Sequence, residues 1–175
     1  MRRVILLALL ALALPTAALA GSIDYVGFAG PLNPATVTGG VTSGGTLSVS
    51  FSELSINGGG VGPGTVTIAL NLGTTSCGAG CFNIASGTVN VWNGSKALLF
   101  SGTFSSGSAT ISGGNNIVIA GFTTAGNTVA GVFNFSNVGW VGSSDTIVTP
   151  EPGTLGLLGT GLVGLAGIVR RKLRS

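Results

Sequence analysis

The chain has 175 residues, of which 45% are hydrophobic and 6% charged, with a formal net charge of +3 and no histidine. Six of its seven basic residues (Arg2, Arg3, Arg170, Arg171, Lys172 and Arg174) lie at the two ends, and the stretch between keeps Lys96 against Asp24, Glu53 and Asp145. That balance excludes a nucleic-acid binder, which needs a basic surface, and the lack of histidine excludes Ser-His-Asp and Cys-His catalysis.

The start reads as an export signal. Met1-Arg2-Arg3 is a charged n-region, Val4 to Leu14 an apolar run broken at Pro15, and Ala18-Leu19-Ala20 a small-x-small site. This pattern predicts a signal peptide over residues 1–20, cut by signal peptidase between Ala20 and Gly21. Eleven apolar residues are too few for a transmembrane helix. Arg2-Arg3 lacks the flanking pattern of a twin-arginine signal, so general secretion is expected.

Residues 21–147 form one predicted ectodomain, long enough for a single core and too short for two. Leu47, Val49 and Phe51 alternate with Ser48, Ser50 and Ser52, the mark of a half-buried strand. The phase then slips to Leu54 and Ile56, which predicts a bulge near Ser52-Glu53. Thr65 to Leu72 gives the clearest alternation, with Val66, Ile68, Leu70 and Leu72 on one face. Further strands are expected over residues 82–92, around Ile111 and over residues 116–123. Leu98, Phe100 and Phe104 are expected to share a face, as are Val129, Phe133 and Phe135. Asn93-Gly94 between two alternating runs predicts a hairpin with a type I′ turn. Gly-rich turns recur throughout and no stretch shows helical periodicity, so the expected fold is all-β, an antiparallel β-sandwich of jelly-roll type. A β-solenoid is the alternative, because Ser-Gly-Thr recurs at residues 86–88 and 101–103, although no fixed period extends through the domain.

Chemistry-bearing residues are few. Cys77 and Cys81 bracket Gly-Ala-Gly, and in an exported chain this spacing predicts a local disulfide. A zinc site needs more ligands and a calcium site an Asp-rich loop, so no metal or cofactor is implied. Asp24, Glu53 and Asp145 are the ectodomain's carboxylates; a glycosidase needs two, but nothing in the sequence places a pair together. Gly58 to Gly64 lacks the Lys-Ser/Thr and helix of a phosphate-binding loop and reads as a turn. Trp92 shares parity with Thr88 and Asn90 rather than Val89 and Val91, which makes it a candidate for outward stacking on a sugar ring. Trp140 is expected in or near the core.

Residues 148–175 form the last segment. Pro150-Glu151-Pro152 imposes extended backbone. Thr154 to Val169 then supplies sixteen uncharged residues, eight of them Leu, Ile or Val, ahead of Arg170, Arg171, Lys172 and Arg174. As a helix that run spans roughly 24 Å, short of a roughly 30 Å hydrocarbon core. Glycines 156, 159, 161, 164 and 167 weaken it further. The basic end is expected to stay cytoplasmic, which puts the upstream chain outside. A weak transmembrane helix behind an extended motif suits a transient membrane anchor that is processed.

This arrangement resembles the PEP-CTERM sorting signal of exopolysaccharide-producing Gram-negative bacteria. The matching residues are Pro150-Glu151-Pro152, Thr154-Leu155, the Gly/Leu-rich span to Val169 and Arg170-Arg171-Lys172, with Thr149 inserted where members often run Val-Pro-Glu-Pro. The resemblance implies recognition by an exosortase, an integral-membrane Cys protease and transpeptidase. It also implies delivery from the inner membrane to the cell surface or to an exopolysaccharide biofilm matrix. The expectation for the ectodomain is a non-catalytic structural or adhesive role, with a carbohydrate-binding module and an unrecognised hydrolase as alternatives. A structural role predicts self-association through unprotected sheet edges.

Overall fold

The computed structural model describes residues 23–113, 115–148 and 161. Within residues 23–148 the chain forms β1 (Ile23–Ala29), β2 (Thr36–Gly39), β3 (Thr46–Ile56), β4 (Gly62–Gly78), β5 (Cys81–Asn93), β6 (Leu98–Ser112), β7 (Asn116–Thr123), β8 (Thr128–Ser136) and β9 (Gly139–Val148). From β3 to β9 each strand pairs antiparallel with the next. β9 pairs with β1, setting Ile23 opposite Val148, and β1 pairs with β3. The ring is therefore closed.

The architecture is an eight-stranded antiparallel barrel with β2 added along β3, rather than the expected sandwich or jelly roll. Both architectures read as alternating buried and exposed residues. What separates them is the partner of the first and last strands, a contact spanning the whole domain that no local pattern encodes. Closure also excludes a solenoid, and it removes the long free edges that edge-to-edge self-association needs.

β1 and β2 lie end to end along one side of β3, on Glu53–Ile56 and Leu47–Ser50 respectively. Between them the chain leaves the wall in an excursion whose Leu32 is 94% exposed. The excursion sits beside the predicted bulge, where the β3–β4 register shifts between Phe51 and Glu53. The shift returns Leu54 to the interior after Leu47, Val49 and Phe51.

An eight-stranded barrel is just wide enough for side chains to fill it. Here Val49, Val66, Ile68, Val89, Val91 and Val129 line the wall, and the Phe51 and Phe133 rings meet at its centre with centroids 5.2 Å apart. Room for the rings comes from a strip of small residues in register, Gly27 on β1, Ser144 on β9 and Gly131 on β8. A Cβ on Gly131 would lie 2.6 Å from Phe133 Cζ, and one on Gly27 would lie 2.8 Å from Val66.

Three local expectations need correction. The hairpin at residues 93–97 forms, but its turn is not type I′. Lys96 N–H donates to Asn93 O, Asn93 N–H donates to Ala97 O, and the left-handed residue is Lys96 with φ 61°. This is the three-residue loop with a terminal left-handed residue. The Asn93 side chain selects it by accepting from the N–H groups of Ser95 and Ala97. The Leu98, Phe100 and Phe104 face also breaks: a register shift at Val91–Trp92 turns Leu98 outward, 55% exposed, while Phe104 stays buried. Phe135 likewise parts from Val129 and Phe133. It stands beyond the end of the barrel, 55% exposed, edge-on to a half-buried Trp140.

Candidate functional site

The outer wall of β2 to β6 is a lattice of hydroxyl and amide side chains. Thr38, Ser48, Ala69, Thr88 and Thr103 stand in register across five strands. Thr46, Asn71 and Ser86 form the adjoining row. A groove of about 500 Å³ follows these rows, with the buried Leu47, Leu70 and Phe104 also among its lining residues.

The groove exists because the sheet parts. β5 and β6 pair from Cys81↔Thr110 to Asn83↔Ser108 and again from Thr88↔Thr103, but residues 84–87 and 104–107 do not pair with each other. A register shift on β4–β5 between Asn71 and Leu72 lies beside the break. The recurrent Ser-Gly-Thr is part of this device. Its two copies lie on adjacent strands, bring Thr88 opposite Thr103, and set Gly87 and Gly102 where Phe104 and Phe100 cover them. Asn71 Nδ2 donates to Ser86 Oγ at 2.9 Å, and the Thr103 and Thr124 hydroxyls share a bond at 3.1 Å.

Trp92 is half-buried, on the outward parity of Asn90 between buried Val89 and Val91. It pairs with Thr65 and Leu98 and lies outside the groove lining. Cys77 and Cys81 are bonded to each other, with Cα atoms 5.1 Å apart, at the exposed tip of the long β4–β5 hairpin. The closed loop is small and lies beyond the core. Exchanging both cysteines for serine is expected to cost about 2 kcal/mol or less. Amide exchange should accelerate over residues 74–83 and stay unchanged in the core strands.

The carboxylates fall in two places. Glu53 accepts from Asn33 Nδ2 and lines a separate depression of about 430 Å³ with Asn33, Ser52 and Pro63. Asp145 on β9 stands opposite Val26, diagonal to Asp24 on the outer face of β1, and neither aspartate lines either groove. Burial first, and the neighbouring Asp24 charge second, push the Asp145 carboxyl above the usual carboxylate range. The folded chain thus binds this proton more tightly than the unfolded chain, so the ionised form costs stability above the raised pKa. That cost fades as the pH falls through the raised pKa and is gone below the ordinary carboxylate value. Asp145→Asn is expected to stabilise the barrel at neutral pH by under about 1 kcal/mol, because the site is exposed. Urea melts of the two proteins should converge near about pH 3.

The sites expected from sequence at the two ends lie outside the described residues: Ala18, Ala20 and Gly21, the Pro150-Glu151-Pro152 motif, the apolar span apart from Gly161, and Arg170, Arg171, Lys172 and Arg174. Comparison with known families bears on the second end. Residues 148–172 match the family model described as the PEP-CTERM protein-sorting motif. The chain carries a PEP-CTERM sorting signal. This PEP-CTERM segment begins at Val148, the last residue of β9, so the sorting signal follows the barrel directly. PEP-CTERM signals mark exported, exosortase-processed proteins, and the exosortase is the partner that the motif implies. No curated protein and no solved structure matches the chain, so the PEP-CTERM assignment rests on the tail and the barrel's role on its own geometry.

Proposed function

We propose that the protein is displayed at the cell surface or in the exopolysaccharide matrix after exosortase cleavage, and that its barrel serves there as a non-catalytic structural or adhesive module. The observation that carries this reading is a sorting signal joined directly to a closed barrel whose groove across β2–β6 is rich in hydroxyls and lined by no charged side chain. Such a groove meets a hydrated polysaccharide matrix without charge repulsion and exchanges hydrogen bonds with it freely. The reading places the anchor in the inner membrane before cleavage and the barrel outside.

A carbohydrate-binding role is the second reading, favoured by Trp92 standing on the same outward face as Thr88 and Asn90. Both readings meet in one experiment: co-sedimentation of purified residues 21–149 with the producer's exopolysaccharide, beside Trp92→Ala. Pelleting with the polysaccharide is the expected result. A protein that stays soluble and monomeric in its presence overturns the adhesive role. Equal pelleting of the variant removes Trp92 from the account.

A further inference from the structure

The geometry points to the groove across β2–β6 as a binding site for a neutral glycan chain, a proposal that rests on the adhesive reading and gives it a located partner. The lining chemistry is the first ground. Asp24, Glu53, Lys96 and Asp145, the charged side chains of the barrel, are all absent from the lining. An anionic polymer, a phosphate or a nucleic acid would find no cation there. A sugar hydroxyl both donates and accepts, and so do the Ser and Thr hydroxyls that face it.

The second ground is preorganisation. The Asn71 amide is held on Ser86 Oγ, which leaves Asn71 Oδ1 as an acceptor and the Ser86 O–H as a donor toward the groove. Among the described residues, the hydroxyls of Thr38, Thr46, Ser48 and Thr88 take part in no hydrogen bond. They therefore reach a ligand without breaking an existing bond. Strand spacing sets neighbouring side chains within a row about 4.8 Å apart, a regular series of contacts for a chain lying across the strands.

The third ground is the surface and size of the groove. Leu70 and Phe104 line the groove but are buried, so its exposed surface is chiefly that of the Ser, Thr, Asn and Ala side chains of the two rows. The volume of about 500 Å³ falls inside the usual range of about 300–1,000 Å³ for ligand sites. The break between residues 84–87 and 104–107 adds backbone groups that the two strands do not give each other. An extended peptide cannot use that break as a sheet edge, because pairing resumes on both sides at Asn83↔Ser108 and Thr88↔Thr103.

The test is an NMR titration of ¹⁵N-labelled residues 21–149, a closed barrel with its own core, with cellohexaose, laminarihexaose, maltohexaose and xylohexaose. Expected are shifts concentrated at residues 46–48, 69–71, 86–88 and 103 with at least one of the four. Asn71→Ala and Thr88→Ala should each weaken that binding roughly three- to tenfold, the worth of one hydrogen bond. Both positions are exposed, so the fold is retained, and Ser101→Ala on the same outer wall but outside the groove should bind as the parent does. Groove amides that stay still with all four sugars at millimolar concentration overturn the proposal. Equal shifts from an uncharged Ser/Thr-rich hexapeptide overturn the glycan assignment. If the barrel pellets with exopolysaccharide while the groove stays silent, the adhesive reading stands and the groove proposal falls.

Discussion

Phe133→Ala is expected to destabilise the barrel by about 3–5 kcal/mol, the usual cost of removing a fully buried aromatic ring. A domain of this size holds roughly 5–15 kcal/mol in total, so the variant should sit close to the edge of folding. Phe133 is 0% exposed and meets Phe51 at the barrel centre. The wall beside it is made of Gly27, Ser144 and Gly131, which have little side chain to move into the space left behind. The cavity therefore persists, and the cost belongs at the upper end. Gly131→Val tests the same packing from the other side. Its Cβ would arrive 2.6 Å from Phe133 Cζ, an overlap that a filled interior cannot absorb without displacing the ring. Urea denaturation of the purified barrel decides the matter. A loss below about 2 kcal/mol for Phe133→Ala would mean that the centre collapses readily and that the small strip is not what holds the rings.

The elements that were legible in the sequence are those whose cause is local. The alternation of Val66, Ile68, Leu70 and Leu72 with polar neighbours placed β4, and the parity slip after Phe51 placed the bulge. The spacing of Cys77 and Cys81 was enough for the disulfide. The features that were not legible depend on partners far along the chain. Closure requires Ile23 to meet Val148, and a strand's own residues carry the same in-out pattern in a sandwich and in a barrel. The outward turn of Leu98 is not legible locally, because the shift at Val91–Trp92 arises between two strands rather than within either. The turn type at Asn93 does not follow from Gly94, because the deciding bonds come from the Asn93 side chain. The groove was hidden for the same reason. In the sequence its residues are only solvent-side Ser and Thr, and the Ser-Gly-Thr recurrence fits a solenoid as well as it fits two adjacent barrel strands.

Exchanging Pro150, Glu151 and Pro152 together for alanine is expected to abolish tail processing and leave the full-length precursor in the membrane fraction. The reasoning begins at the barrel. β9 ends at Val148, paired with Ile23, so Thr149 alone separates the last paired residue from Pro150. Each proline fixes its own φ and pushes the residue before it, Thr149 or Glu151, toward extended backbone. A protease needs extended backbone to read. Three alanines remove both restraints and favour helix over extended backbone at the motif. They also remove the negative charge of Glu151. Separate variants apportion the two effects: Glu151→Gln keeps both prolines, and Pro150→Ala with Pro152→Ala keeps the charge. Intact mass and membrane fractionation in the producing strain, with and without its exosortase, provide the readout. Wild-type chain should lose the tail only when the exosortase is present, and the triple variant should keep it in both strains. A triple variant processed to the wild-type extent would mean that the apolar span and the basic end suffice for recognition, and Pro150-Glu151-Pro152 would then be no more than a spacer between barrel and membrane.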